Sequence, residues 1–200
     1  TGINPFSNSW ANYTGLMRNG KIQKVNNPPG KYFSWDKYSV KTSDVIPHLI
    51  LEHQVGFTNL CISIIYNLRK VKKQSSIETK SKKFEEIIEQ HTKSLLSYIL
   101  FQNEALLPES NLNPESPFVK YFQNNGNPNK KGMALRELSL KGRLFKLRCS
   151  YMIFSNAFYG LPWEIRNQLL KQLRYILSCE KKKLPRAYAY LAEEERHKIN

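Results

Sequence analysis

The side chains whose type and placing most invite a chemical reading are four histidines, His48, His53, His91 and His197. Imidazole ligates metals and exchanges protons near neutral pH. His53 and His91 each stand on the apolar stripe of a predicted helix, where an imidazole needs a partner to offset its lost hydration. One reading makes the pair ligands of a metal ion or of a non-covalently bound haem. Counted from the connection at residues 74–76, His53 lies about 20 residues before the turn and His91 about 14 after it, which at roughly 1.5 Å per residue sets them on the order of 9 Å apart along the axis. Ligation of a single ion needs closer approach. By the same count Asn59 stands level with His91, so a hydrogen bond between two polar stripes is the more natural expectation.

Carboxylates and thiols add less. The helix faces lack the paired Glu and Glu-x-x-His pattern of di-iron bundles. Glu52 adjoins His53 in the chain, yet neighbouring helical residues point about 100° apart. Glu85, Glu86 and Glu89 read as water-facing partners of nearby lysines. No G-x-S-x-G elbow, H-E-x-x-H pair or phosphate-binding glycine loop occurs. Three cysteines form no C-x-x-C, which excludes a zinc knuckle and covalent c-type haem attachment within this chain. Cys61 and Cys149 fall in apolar patterns and read as small core residues, while Cys179 sits near a helix end.

The charge is the strongest global signal. A net charge of +15 over 200 residues predicts attraction to something acidic. Residues 69–83 carry seven basic side chains against Glu78, and residues 130–148 carry seven against Glu137. Lys70, Lys72, Lys73, Lys130, Lys131, Lys141 and Lys146 mark the expected docking surface. The alternative is a lysine-rich solvated face. A third reading is nucleic acid, because residues 31–38 (Lys-Tyr-Phe-Ser-Trp-Asp-Lys-Tyr) interleave charge and rings in a manner suited to stacking on single-stranded RNA. No helix-turn-helix or zinc-finger signature accompanies it.

These side chains need elements to hold them. Hydrophobic residues at 40% and aromatics at 12% favour a folded chain over a disordered one. Residues 1–43 read as an irregular arm punctuated by Asn, Gly and Pro but rich in aromatics. Residues 44–200 read as an all-α domain of five or six helices. A helix over about 44–73 has Ile46, Leu49, His53, Phe57, Leu60, Ile64, Leu68 and Val71 on one face. Its flanks (Leu51, Val55, Ile62, Ile65, Tyr66) are apolar as well, so it is expected at the centre, covered on several sides. A helix over 77–102 should fold back on it as an antiparallel hairpin. A loop with one short helix near 116–122 follows, then a helix over 135–154 with face Leu140, Leu144, Leu147, Tyr151 and Phe154. Pro162 introduces a helix to about residue 179, with Lys181, Lys182 and Lys183 at its C-terminal dipole, and a frayed amphiphilic stretch ends the chain. The longest apolar run, around residues 60–68, is broken by Ser63 and Asn67 and is too short for a membrane span. Beginning at Thr1, the chain reads as a processed product or a fragment.

Two stretches carry a family likeness. Leu51-Glu52-His53-Gln54 with Thr58-Asn59-Leu60 is one. The other is residues 138–157 (Leu-Ser-Leu-Lys-Gly-Arg-Leu-Phe-Lys-Leu-Arg-Cys-Ser-Tyr-Met-Ile-Phe-Ser-Asn-Ala), followed by Phe158 and Gly160-Leu161-Pro162. Together they resemble an uncharacterised bacterial domain of exported proteins, some of them associated with c-type cytochromes, over about residues 44–179. The resemblance implies a helical, exported, periplasmic domain in an electron-transfer setting, and transfers no catalytic residue. It marks Glu52, His53, Gln54, Asn59, Arg143, Lys146, Arg148, Ser150 and Tyr151, with any haem on a partner or a further domain.

One polar network is expected on physical grounds alone. Arg143 or Arg148, flanking an apolar face with Tyr151, should reach Glu52 on the polar stripe of the first helix. The resulting expectation is a non-catalytic basic docking domain of an exported protein, with an acidic partner such as a c-type cytochrome and no cofactor of its own. The alternatives are an RNA-binding helical protein, which would admit a cytoplasmic setting, and a metal or haem enzyme.

Overall fold

Apolar side chains spaced three and four apart wind residues 45–74 into one helix, α1 (Val45–Gln74), with Lys72 and Lys73 in the last turn where the helix dipole favours cations. The structure, a computed structural model, describes residues 45–74, 77–107 and 114–200, with side chains at all of these except 45, 74 and 77–83. The aromatic arm expected over 1–43 lies outside the described residues. The chain divides into two compact units, Thr1–Gln54 and Val55–Asn200, so that α1 crosses the boundary. In the first unit Ile46, Leu49, Ile50 and His53 are buried.

The second unit continues α1 and adds α2 (Ile77–Ile99), α3 (Pro117–Asn124), α4 (Asn156–Tyr159), α5 (Trp163–Ser178) and α6 (Glu193–Ile199), with 3-10 turns at Tyr151–Phe154, Lys181–Lys183 and Arg186–Tyr188. The chain is all-α. Phe57 meets Tyr98, Asn67 meets His91, and Lys72 lies over Phe84, so partner numbers fall along α2 as they rise along α1. That pairing is antiparallel. α2 packs against α5, and α5 against α6. On α5, Ile165, Leu169, Leu173, Ile176 and Leu177 are buried at helical spacing. Each such aliphatic side chain contributes about 1.5–3 kcal/mol by leaving water.

The stripe on α1 is narrower than the sequence suggests. Phe57, Cys61, Ile64, Leu68 and Val71 are buried, but Leu51, Val55, Ile62 and Tyr66 are exposed, Tyr66 at 65%. The expected covering on several sides is therefore not met. By length and composition alone Ile46–Lys73 is apolar enough to cross a membrane, with 33% of its most apolar window buried. The run near 60–68 is only the middle of this longer apolar helix, and the core helix of a globular domain passes the same test.

The helix expected over 135–154 does not form. Leu140 and Gly142 take left-handed backbone angles (φ 56° and 69°), which an α-helix cannot contain. The chain instead doubles back. Ser139 N–H donates to the Leu144 carbonyl, Lys146 N–H donates to the Glu137 carbonyl, and Leu138 bridges Phe145 in antiparallel fashion. From there Phe145, Leu147 and Cys149 are buried while Lys146 is exposed and Arg148 half-buried, the period of extended chain rather than helix. Ser150 then caps the 3-10 turn by accepting from Met152 N–H.

α3 begins as its sequence indicates, with Ser116 accepting from Val119 N–H and Pro117 in the first turn. α2 ends in a Schellman turn, in which Gln102 N–H donates to the Ser97 carbonyl and Phe101 N–H to the Tyr98 carbonyl. Phe101 takes the left-handed position (φ 52°) that glycine usually fills. Its ring remains in place against Phe145, centroids 5.3 Å apart.

Candidate functional site

The two turns with left-handed backbone, one after α2 and one at Leu140–Gly142, face each other. Leu107 N–H donates to the Gly142 carbonyl at 2.8 Å and ties the segments together. Between them opens a cleft of about 440 Å³ lined by Phe101, Asn103, Glu104, Leu106, Lys141, Gly142, Arg143, Arg148 and Tyr190. Non-glycine residues in left-handed conformation cost about 1–2 kcal/mol each and persist where surrounding contacts fix them. Here Phe101 and Asn103 (φ 52° and 59°) line the cleft, and Leu140 (φ 56°) directly precedes the lining residue Lys141.

Its cations are held from behind by α6. Glu195, with a side chain 10% exposed, accepts from Arg143 Nη1 at 3.1 Å and from Arg148 Nη1 at 3.0 Å. It also accepts from the Arg148 backbone N–H at 2.7 Å. Arg143 Nη2 donates to the Lys146 carbonyl at 2.6 Å, so both guanidinium groups are locked in orientation. The Arg148 guanidinium lies 5.8 Å from the ring centre of Tyr190, whose hydroxyl donates to the Leu100 carbonyl at 2.8 Å. Burial pushes the Tyr190 phenol well above its ordinary range, keeping it neutral. Burial likewise pushes the Glu104 carboxyl up, against the opposing pull of Arg148, Arg143 and the Leu144 backbone. One carboxylate thus balances two arginines from within the protein, while Lys141 and the half-buried Glu104 line the opening.

Both arginines of the expected polar network are paired within the second unit, by a carboxylate that the sequence reading does not name. Glu52 is exposed, and Glu195 occupies both Arg143 and Arg148. Glu195 was hidden in the run Glu193-Glu194-Glu195. One signal distinguishes it: Leu191, Glu195 and Ile199 follow at intervals of four, so Glu195 falls on the inward stripe while its two neighbours do not.

Tyr151 belongs to an aromatic cluster rather than to the cleft. Its ring meets Phe122 edge-on at 5.4 Å and Phe145 at 5.7 Å, and the Arg136 guanidinium lies 5.1 Å from its centre. His53 is buried, 7% exposed, and burial alone lowers its pKa to about 4, so the imidazole is neutral at physiological pH. Gln54 is half-buried and Asn59 exposed. His91 Nε2 lies 3.4 Å from Asn67 Nδ2, and burial lowers its pKa too. The residue level with His91 is Asn67, not Asn59. Side chains lean toward the N-terminus of their own helix, which in an antiparallel pair shifts the apparent level by a few residues and accounts for part of the difference. Among the described residues no cluster of three or more His, Cys, Asp or Glu side chains is placed to hold a metal ion.

Much of the positive charge is engaged within the protein. Lys146 pairs with Glu137, Lys131 Nζ donates to the His197 carbonyl at 2.6 Å, and Arg136 stacks on Phe122 and Tyr151. Lys72 lies 3.9 Å from Glu164 and over the Phe84 ring. Lys70, Lys73, Lys130 and Lys141 are exposed. Of the expected docking lysines, Lys141 is the one that lines the cleft. Cys61 and Cys149 are buried, and burial pushes both thiols up to about 12.

No protein-family model, curated protein or solved structure matches the chain.

Proposed function

We propose that the chain is a docking module that takes an acidic segment of a protein partner into the cleft beside α2. The observation that carries this reading is the pair of arginines, Arg143 and Arg148, fixed by Glu195 with Lys141 at the rim. Orientation before binding lowers the entropy cost of pairing with an incoming carboxylate. Both guanidinium groups keep donors that Glu195 does not use, so each can accept a second anion. The aromatic walls, Phe101 and Tyr190, give an extended peptide apolar surface to lie against. An exported, periplasmic setting with an acidic c-type cytochrome as the partner belongs to the same proposal, on the resemblance described above.

Fluorescence anisotropy with a labelled oligoglutamate peptide and an oligouridylate of matched charge tests the reading. The expected result is saturable peptide binding that weakens with salt, and weaker binding of the oligouridylate at about 0.15 M ionic strength. Tighter binding of the oligouridylate at that salt would replace the proposal with RNA recognition.

A further inference from the structure

The two faces of α6 do different work. Beside Glu195, Arg196 turns the other way and is 0% exposed. Its Nη1 donates to the Ile176 carbonyl at 2.9 Å and to the Cys179 carbonyl at 2.7 Å, capping the C-terminus of α5. This is the cation that the sequence assigns to Lys181, Lys182 and Lys183, which instead form an exposed 3-10 turn. Arg196 Nη1 also lies 3.8 Å from Cys179 Sγ. Arg196 Nε and Nη2 are buried with no hydrogen-bond partner, and no carboxylate pairs with this guanidinium among the described residues. The ends of the α5 carbonyl dipoles offset only part of the charge. A buried cation left in this state favours an anion at its side.

The side chain that lies against this guanidinium and can become an anion on oxidation is Cys179, a half-buried residue. We infer that Cys179 is a peroxide-oxidation site whose anionic product is held by Arg196. The sulfur attacks the peroxide O–O bond, one oxygen joins the sulfur, and the other leaves as water with the thiol proton. Sulfur is thereby oxidised by two electrons to the sulfenic acid and the peroxide is reduced. A second peroxide repeats the step, giving the sulfinate, one released proton and a second water. The sulfinate oxygens then accept from the guanidinium donors that are unused in the thiol form. Cys61 and Cys149 are shielded by burial and do not compete. This inference is independent of what the cleft binds.

Treatment of the folded chain with hydrogen peroxide, followed by dimedone labelling and peptide mass mapping, reads the selectivity. Cys179 is expected to be modified at least about tenfold faster than Cys61 or Cys149. Equal rates at all three, or modification of Cys179 only under unfolding conditions, overturn the inference. A second measurement does not need an Arg196 variant to fold. Cys179→Asp places a fixed negative charge where the sulfinate would form, and its urea midpoint is expected above that of Cys179→Asn. A midpoint for Cys179→Asp at or below that of Cys179→Asn shows that Arg196 holds no anion there and overturns the assignment.

Discussion

Replacing Glu195 by glutamine removes one negative charge and leaves the shape of the side chain. Its two oxygens now receive three hydrogen bonds, from Arg143 Nη1, Arg148 Nη1 and the Arg148 N–H. In Glu195→Gln one oxygen still accepts from the backbone, while the new NH2 group faces a guanidinium donor. A hydrogen bond to a charged group contributes about 1.5–3 kcal/mol, and breaking a fully buried ion pair costs about 3–5 kcal/mol. Arg143 and Arg148 side chains are 24% and 30% exposed, so water screens part of the lost attraction. The expected loss is about 2–3 kcal/mol. Urea unfolding followed by circular dichroism measures it: with a denaturant slope of about 1–3 kcal/mol per molar, the midpoint falls by about 1 M at unchanged slope. A double-mutant cycle with Arg148→Met should show coupling above about 1 kcal/mol. A midpoint within about 0.2 M of the parent, or a coupling near zero, refutes the claim that α6 fixes the cleft arginines.

Three further outcomes follow from the same geometry. His53 has its ordinary pKa of about 6.5 when unfolded and about 4 when folded, so the unfolded chain gains its proton first. Stability present above about pH 6.5 then declines as pH falls toward 4, by about 3 kcal/mol, and His91 acts in the same direction. Urea midpoints of His53→Gln should flatten with pH against the parent, and parallel curves would reject the buried neutral imidazole. A Cβ on Gly56 would meet the Tyr98 hydroxyl, so Gly56→Ala is expected to destabilise the parent and to cost clearly less in a Tyr98→Phe background, where the hydroxyl is gone and only the tighter ring-carbon contact at 3.3 Å remains to offset the helix preference of alanine, about 1 kcal/mol. Thermal melts of the four proteins decide it, and equal effects in both backgrounds count against the contact. Leu169→Ala, at a fully buried position on the α5 face, should cost about 2–5 kcal/mol in the same urea assay, and a loss below about 1 kcal/mol would show that this face is not core.

Where local pattern and tertiary packing agree, the sequence is readable. α1 buries Ile46, Leu49, His53, Phe57, Ile64, Leu68 and Val71 of the stripe that its spacing indicates, leaving Leu60 half-buried with Cys61 buried beside it, and Ser116-Pro117 starts α3 where the cap and the proline require. Residues 135–154 show the opposite case. Leu140, Leu144, Leu147, Tyr151 and Phe154 are spaced as on a helix, but Gly142 permits a left-handed turn and the pairing across it outcompetes helical hydrogen bonding. Phe154, the end of that supposed face, is 56% exposed. Periodicity also overstated how much of α1 is covered, because an apolar flank can face outward. The cleft was half legible. Its arginines stand out as basic residues beside apolar ones, whereas spacing marks Glu195 only as inward-facing and its partners lie 47 and 52 positions away in the chain, beyond what a local pattern encodes.

The cleft itself, rather than diffuse positive charge, is the claim most in need of a direct measurement. Lys141→Glu and Lys182→Glu change net charge equally, one at the rim of the cleft and the other on the exposed turn after α5. In titrations with the labelled oligoglutamate peptide at fixed salt, Lys141→Glu is expected to weaken binding by about tenfold, about 1.4 kcal/mol, and Lys182→Glu by less than about twofold. Equal weakening by the two substitutions would contradict the account.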